Sequence, residues 1–167
     1  MQRPVLQKLD QALFDQIAAE ARSRPRLRCN FNLHDEPDAV QRFLNVLQPG
    51  TYVRPHRHRR ERCGEGFECF VVLQGAIGLL LFDEQGELLQ RETLRASGPL
   101  RGIELAEGQV HSLVALDIDS VMFELKQGPY QPLSDKDFLA CFPQEGTPEA
   151  VAIERQWRDL FEQGGGS

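Results

Sequence analysis

Histidine and glutamate residues with the spacing of metal ligands are the part of this sequence best suited to chemistry. His56 and His58 stand two apart, and residues two apart on a β-strand project on the same face, so both imidazoles would reach one space. Glu68 begins the next apolar run, and His111 follows Gly108 further along the chain. Three neutral imidazoles and one carboxylate suit one divalent transition metal such as Zn, Fe, Mn or Ni, whereas Mg and Ca prefer oxygen ligands. A pair of surface histidines in a basic loop is the alternative.

Two more side chains are predicted to share the space of the histidine pair. Tyr52 and Arg54 precede His56 by four and two residues, so on one continuous strand they would face the same side as His56 and His58. Tyr52 would then be a catalytic acid or base, and the guanidinium of Arg54 would bind a carboxylate or phosphate oxygen of a substrate. An internal salt bridge is the alternative for Arg54.

Positive charge is concentrated near the histidines in a chain that is acidic as a whole. The charge comes from five arginines: Arg54, Arg57, Arg59, Arg60 and Arg62. One interpretation is that they attract a small anionic ligand to the metal. The other is a solvated loop in which Glu61 and Glu65 neutralise them.

Short β-strands must position these side chains, because apolar runs separated by Gly, Pro and Asp fill the middle of the chain. The predicted strands cover residues 28–33, 40–47, 52–57, 68–73, 77–82, 88–94, 103–105, 110–116 and 121–126. Apolar residues at spacings of three and four predict a helix over residues 10–22, and Thr147 is the predicted cap of a second helix. The predicted divisions are a helical segment at 1–27, a β-domain at 28–146, a helix at 147–163 and a flexible tail at 164–167.

Composition limits the class of protein. The chain has 167 residues, of which 41% are hydrophobic and 26% are charged, as expected of one globular domain. The formal net charge of −6 argues against nucleic acid as a partner, since phosphate binding needs a basic surface. The longest apolar run, residues 79–82, is too short to span a membrane. The first residues lack the apolar core of a secretory signal, so we expect a cytoplasmic location and reduced cysteines.

The order and spacing of the candidate ligands resemble the two motifs of the cupin superfamily. The motifs read Gly50-x5-His56-x-His58, then Glu68-x6-Gly75, then Gly108-x2-His111. The resemblance implies a mainly β, single-domain cupin jelly-roll β-barrel with flanking amino- and carboxy-terminal α-helices. It also implies one divalent metal, and by position its ligands are His56, His58, Glu68 and His111.

Longer stretches resemble the WbuC family of cupin metalloproteins. They are residues 30–34 (NFNLH), 41–45 (QRFLN), 49–58 (PGTYVRPHRH) and 126–130 (KQGPY). This resemblance implies a link to gene clusters for surface polysaccharide (O-antigen) biosynthesis and no known reaction. It also favours a pocket role for Asn30 and Asn32, which share one face of a predicted strand with His34. A solvent-facing edge is the alternative.

Two other glutamates compete with Glu68 for the role of carboxylate ligand. Nine residues separate His58 from Glu68, and Glu61 and Glu65 lie within that interval. We prefer Glu68 because it alone keeps the six-residue interval to Gly75 and precedes an apolar run.

The expected ligand is a small polar or anionic, sugar-like molecule. Lys126 and Tyr130 lie in a Gly-Pro turn segment, where they would either close one end of the pocket or only fix the turn. As an enzyme, the protein would be a metal-dependent sugar isomerase or epimerase, or an Fe(II)-dependent dioxygenase. The alternative is a non-catalytic sensor or binding module. We expect a homodimer, because the strand at 68–73 is apolar on both faces.

Overall fold

Two helices flank ten β-strands in the computed structural model, which describes residues 4–59, 66–131 and 136–162. The helices are α1 (Gln11–Ser23) and α2 (Pro148–Glu162). The strands are β1 (Arg28–Asn32), β2 (Val40–Leu47), β3 (His56–Arg57), β4 (Phe67–Gln74), β5 (Ala76–Phe82), β6 (Leu88–Arg95), β7 (Gly102–Ala106), β8 (Val110–Ala115), β9 (Ser120–Gln127) and β10 (Asp137–Phe138). The predicted order of helix, strands and helix is present.

Helix α1 begins at an aspartate cap and buries one face. The side chain of Asp10 accepts a hydrogen bond from the backbone N–H of Leu13 at 3.1 Å, which satisfies one of the open N–H groups at the helix start. Phe14, Ile17 and Ala21 recur at spacings of three and four and are buried. They pack against β1 and β2, so α1 covers part of the outer face of that sheet.

The strands of the described chain form two five-stranded antiparallel sheets. Sheet one has the order β1-β2-β9-β4-β7, and sheet two has the order β10-β3-β8-β5-β6. Strands that are distant in sequence, such as β2 and β9, are neighbours in space, as expected of a jelly roll. A buried apolar cluster from both sheets lies between them and includes Leu47, Phe70, Ile77, Leu113 and Met122.

The segment before the histidine pair departs from the predicted strand. The sequence predicts a strand over residues 52–57, but β3 covers only His56–Arg57. Pro55 has no backbone N–H and restricts the residue before it, so a continuous ladder is not possible there. The hydroxyl of Ser112 donates instead to the carbonyl oxygen of Val53 at 2.6 Å. The alternation of strand faces is therefore interrupted just before the histidine pair.

Helix α2 covers the outer face of sheet two through an aromatic cluster. Its start is capped by the hydroxyl of Thr147, which accepts a hydrogen bond from the backbone N–H three residues later. The ring centroid of Trp157 lies 5.4 Å from that of Phe82, 5.7 Å from that of Phe142 and 5.8 Å from that of Tyr52. Within the described residues, no helix is long and apolar enough to cross a membrane.

The outward side of β4 is only partly covered. Cys69 and Val71 are half-buried, and Leu73 is 37% exposed. Their neighbours on β9, Phe123 and Leu125, are half-buried as well. The predicted homodimer would use this apolar surface.

Replacing Trp157 by Ala should lower the free energy of unfolding by about 3–5 kcal/mol, because the ring joins α2 to sheet two. Val151→Ala, at a side chain of the same helix that is 56% exposed, is the matched control and should change stability by less than about 0.5 kcal/mol. Urea unfolding is followed by far-UV circular dichroism, since Trp157 is the only tryptophan. Equal midpoints for the two variants would contradict this packing.

Candidate metal centre

Three histidines converge on the inner side of sheet two. His56 on β3 pairs directly with His111 on β8, and His58 comes one residue after the end of β3. One ligand nitrogen from each imidazole lies within 4.8 Å of the other two. All three rings are buried. This spacing allows the three nitrogens to bind one ion.

Backbone carbonyl groups fix the orientation of two of the rings. The Nδ1–H of His56 donates to the carbonyl oxygen of Arg54 at 2.9 Å, and the Nδ1–H of His111 donates to that of Gln109 at 3.0 Å. A carbonyl only accepts, so each Nδ1 carries the proton and each Nε2 keeps the lone pair that a metal needs. Burial lowers the pKa of His56 and of His111, so both rings are neutral at pH 7.

Glu68 approaches the histidines from sheet one. Its side chain is buried, with Oε1 3.4 Å from Nε2 of His58 and Oε2 3.2 Å from Nε2 of His111. The competing Glu61 and Glu65 lie outside the described residues. Three imidazole nitrogens with an adjacent carboxylate fit one divalent transition metal, held between the two sheets.

A second buried glutamate, Glu124 on β9, lies beside Glu68 and was not identified from the sequence. In the register of sheet one it stands between Phe43 on β2 and Phe70 on β4. Burial and the nearby charge of Glu68 raise the pKa of Glu124 to about 8, so its carboxyl is protonated at neutral pH. The available signal was strand alternation, because Glu124 shares a face of β9 with Lys126.

A cavity of about 720 Å³ lies between the sheets, and His56, His111, Glu68 and Glu124 border it. Four residues predicted to bind substrate also line it: Asn30, Asn32, Lys126 and Tyr130. Further polar lining residues were not among the sequence candidates: Glu36, Gln41, Asn45 and Lys136. The side-chain oxygen of Asn45 is buried and has no hydrogen-bond partner among the described residues, so it is open to a donor from a ligand.

Tyr52 lies on the outer side of sheet two. The prediction that its side chain shares a face with the histidines is therefore wrong. Its ring stacks on Trp157, and its hydroxyl donates to the carbonyl oxygen of Pro143 at 2.9 Å. Burial raises the pKa of Tyr52 to about 12. The interruption at Pro55 turns Val53 towards the cavity in its place. This position gives the phenol no contact with the candidate centre.

Arg54 is not among the residues that line the cavity, and its predicted role in binding a substrate oxyanion stays a prediction. Its guanidinium donates to the carbonyl oxygen of Leu139 at 3.1 Å and lies 5.3 Å from the ring centroid of Phe138. Arg54 therefore ties the segment before β3 to the segment around β10. Its side chain supports the strand that carries His56.

Two other arginines of the basic segment approach acidic side chains. Arg57 donates to Asp137 at 2.7 Å and to Glu84 at 2.9 Å. Arg59 approaches the same carboxylates at 3.7 and 3.9 Å. Arg60 and Arg62 lie outside the described residues. The described arginines favour a neutralised loop over attraction of an anionic ligand.

Loss of one imidazole should weaken metal binding. Zinc should bind the wild-type chain at about one equivalent, and His56→Gln should lower the affinity by at least roughly tenfold, because one nitrogen ligand is absent. The control is His34→Gln, since Nδ1 of His34 contacts the backbone of Arg42 at 2.8 and 3.0 Å and is not in the cluster. Isothermal titration calorimetry measures both affinities. Equal zinc affinities would contradict the assignment.

Glu124→Gln should change how stability depends on pH. Glu124 keeps its proton up to about pH 8 in the folded state, whereas an ordinary glutamate with a pKa of 4.5 loses it in the unfolded chain. As pH rises from about 5 to 8, this group lowers the free energy of unfolding of the wild type by up to about 1.4 kcal/mol per pH unit. Glutamine does not titrate, so the variant should lack this decrease. Urea unfolding of the metal-free protein measures it, with Glu104→Gln on the exposed side of β7 as control. Parallel profiles for Glu124→Gln and wild type would show that Glu124 titrates normally.

Solved structures share this fold at low sequence identity. CapF, a capsular polysaccharide assembling protein from Staphylococcus aureus, matches with a TM-score of 0.51 and 17% identity over 66% of this chain and 32% of its own. Recombinant oxalate oxidase in complex with glycolate matches with a TM-score of 0.52 and 15% identity over 86% of this chain and 76% of its own. The Cupin_2 domain of an XRE family transcriptional regulator from Enterobacter cloacae matches with a TM-score of 0.45 and 23% identity over 62% of this chain and 98% of its own. The chain spans about a third of the length of CapF. The fold shared with CapF and oxalate oxidase confirms the predicted mainly β cupin fold.

The sequence also matches a family that has no assigned function. No curated protein matches the chain. The family described as "Domain of unknown function (DUF6016)" matches residues 9–94, which are just over half of the 167 residues. The matched region includes α1 and three of the candidate metal ligands: His56, His58 and Glu68. The chain therefore belongs to the DUF6016 family.

Proposed function

We propose that this protein is a metal-dependent cupin of the isomerase type that acts on a small polar or anionic, sugar-like molecule. The observation that carries the proposal is the buried histidine cluster at the wall of a polar cavity of about 720 Å³. Cavities of this size hold small organic ligands. The cavity also brings together side chains from both sheets, so a bound molecule would contact the metal and the polar lining at once.

The lining favours a ligand with several hydroxyl groups. Four amide side chains contribute donors and acceptors: Asn30, Asn32, Gln41 and Asn45. Asn30 stands opposite Asn45 in the register of β1 and β2, so their amides face the cavity side by side. Aromatic rings supply apolar surface next to them: Phe43, Phe70 and Phe138. Alternating polar and apolar contacts suit a molecule with hydroxyl groups and C–H faces.

The chain supplies both a metal site and an acid–base group. The proposed ligands are His56, His58, Glu68 and His111, and a bound divalent metal would act as a Lewis acid on a ligand oxygen. Glu124 faces the same cavity, and its pKa of about 8 lets it give or take a proton near neutral pH. Proton transfer between neighbouring carbons of a sugar needs such a group. Glu124 thus takes the role that the sequence had suggested for Tyr52.

A place in surface polysaccharide biosynthesis and a cytoplasmic location are parts of the proposal. The stretches at 30–34, 41–45, 49–58 and 126–130 resemble the WbuC family. CapF, which shares the fold, is described as a capsular polysaccharide assembling protein. Both likenesses support a sugar-derived ligand.

A homodimer is also proposed, through the outward side of β4 and β9. Val71, Phe123 and Leu125 form a half-buried apolar surface there. A second copy would cover these side chains and gain the free energy of burying them.

Hydrogen exchange in deuterium oxide tests the catalytic proposal. Protein loaded with Zn, Mn, Ni or Fe(II) is incubated with aldoses and sugar acids, and proton NMR follows deuterium incorporation next to the carbonyl carbon. Glu124→Gln should slow exchange by roughly a hundredfold or more, because it removes the acid–base group. Its zinc content should stay unchanged, and Glu104→Gln should exchange at the wild-type rate.

The same assay separates the alternative functions. If a sugar stabilises the protein but no metal-loaded form incorporates deuterium into it, the protein would be a binding or sensor module. Oxygen consumption confined to the Fe(II) form would indicate a dioxygenase. A wild-type chain that binds none of the four metals would overturn the proposal.

A further inference from the structure

Two of the three lysines in the chain line one cavity. The sequence has 19 basic residues, of which only Lys8, Lys126 and Lys136 are lysines. Lys126 and Lys136 border the cavity at the candidate metal centre, whereas Lys8 is exposed before α1. Two of the basic side chains that border the cavity at the candidate centre are thus lysines, although most basic residues of the chain are arginines.

Lys126 reaches the cavity from sheet one. On β9 it stands between Gln41 of β2 and Glu68 of β4, so its side chain shares the inner face with the proposed carboxylate ligand. It is 4% exposed, and its Nζ lies 5.6 Å from the ring centroid of Phe43. The wall formed by sheet one therefore presents an ammonium group next to the metal site.

Lys136 reaches the cavity from sheet two. It directly precedes β10, in which Phe138 pairs with His56. Its side chain borders the same cavity as His56, His111 and Glu124. The two lysines therefore approach the centre from opposite sheets.

The charges around the centre leave room for an anion. Even if Glu124 lost its proton as Glu68 does, the two carboxylates would only balance the two ammonium groups, and a divalent metal held by neutral imidazoles would add two positive charges. Away from the centre, the arginines that line the cavity are paired: Arg26 and Arg28 with Glu145, and Arg24 with Glu20. Glu36 is exposed at the rim. The unbalanced positive charge therefore lies at the metal end of the cavity.

We propose that Lys126 and Lys136 form an oxyanion subsite beside the metal centre, and that the ligand is a sugar acid whose carboxylate binds there. This inference rests on the proposed function and narrows its ligand from sugar-like molecules to polyhydroxylated carboxylates. The hydroxyl groups of the ligand bind the amide wall formed by Asn30, Asn32 and Asn45. In this proposal the carboxylate is bound by two lysines on facing walls and not by Arg54, which lies outside the cavity lining.

Isothermal titration calorimetry of the zinc-loaded full chain tests the subsite with D-glucuronate and D-glucose, which differ in one carboxylate. The wild type should bind D-glucuronate at least roughly tenfold more tightly, as expected for hydrogen bonds to a charged group. Lys136→Met should reduce the D-glucuronate affinity to that of D-glucose and leave the D-glucose affinity and the zinc content unchanged. Lys136→Arg should restore part of the preference, and Lys8→Met should match the wild type.

Each outcome bears on a separate part of the inference. Equal affinities for the two probes, or an unchanged preference in Lys136→Met, overturn the lysine subsite alone. Failure to bind zinc, manganese, nickel and Fe(II) alike overturns the proposed function as well, whereas a metal-loaded chain that binds neither probe overturns the subsite alone. Lys136-dependent binding of D-glucose 6-phosphate without preference for D-glucuronate would overturn the carboxylate assignment. Lys126→Met should also lose the preference, and the variants at exposed Lys136 decide the result if that buried variant does not fold.

Discussion

The pairing of His56 with His111 across β3 and β8 is the contact on which the candidate centre depends. Strand β3 is only two residues long, so the position of His56 depends on this pair and on β10 at its other edge. Backbone carbonyl groups hold Nδ1 of both rings, which leaves the lone pair of each Nε2 available to a metal. Backbone hydrogen bonds of sheet two therefore position the histidines of the centre, and Glu68 approaches them from sheet one.

The space between the sheets is divided into an apolar part and a polar part, and single strands contribute to both. On β9, Met122 belongs to the apolar cluster, whereas Glu124 and Lys126 line the cavity. On β4, Val72 belongs to the cluster and Glu68 to the cavity. Buried charge is tolerated only beside compensating groups, so carboxylates, imidazoles and ammonium groups occur together. The apolar part stabilises the sandwich, and the polar part holds the candidate metal ligands.

The outer layers decide which side chains are free to act in the cavity. Trp157 of α2 stacks on Tyr52 and holds its ring on the outer face of sheet two. The guanidinium of Arg54 is likewise held by the carbonyl oxygen of Leu139 and the ring of Phe138. Because one fold carries many activities, the likeness to CapF and oxalate oxidase leaves the function to the residues of the cavity. The proposed function rests on the amide wall, the two lysines and Glu124 among those residues.

The sequence alone determined most of the strands, both helices and the grouping of the three histidines, because these depend on local alternation and spacing. It could not determine which way residues 52–55 face, since alternation holds only along a continuous strand and Pro55 interrupts it. Glu124 stands in a strand that was predicted, but its raised pKa arises from burial between β2 and β4 and from the charge of Glu68 on another strand. Lys136 is likewise brought to the histidines by pairing of β10 with β3, a contact between residues about eighty positions apart. Such long-range pairing follows from how the sheets pack, and only the tertiary structure decided it.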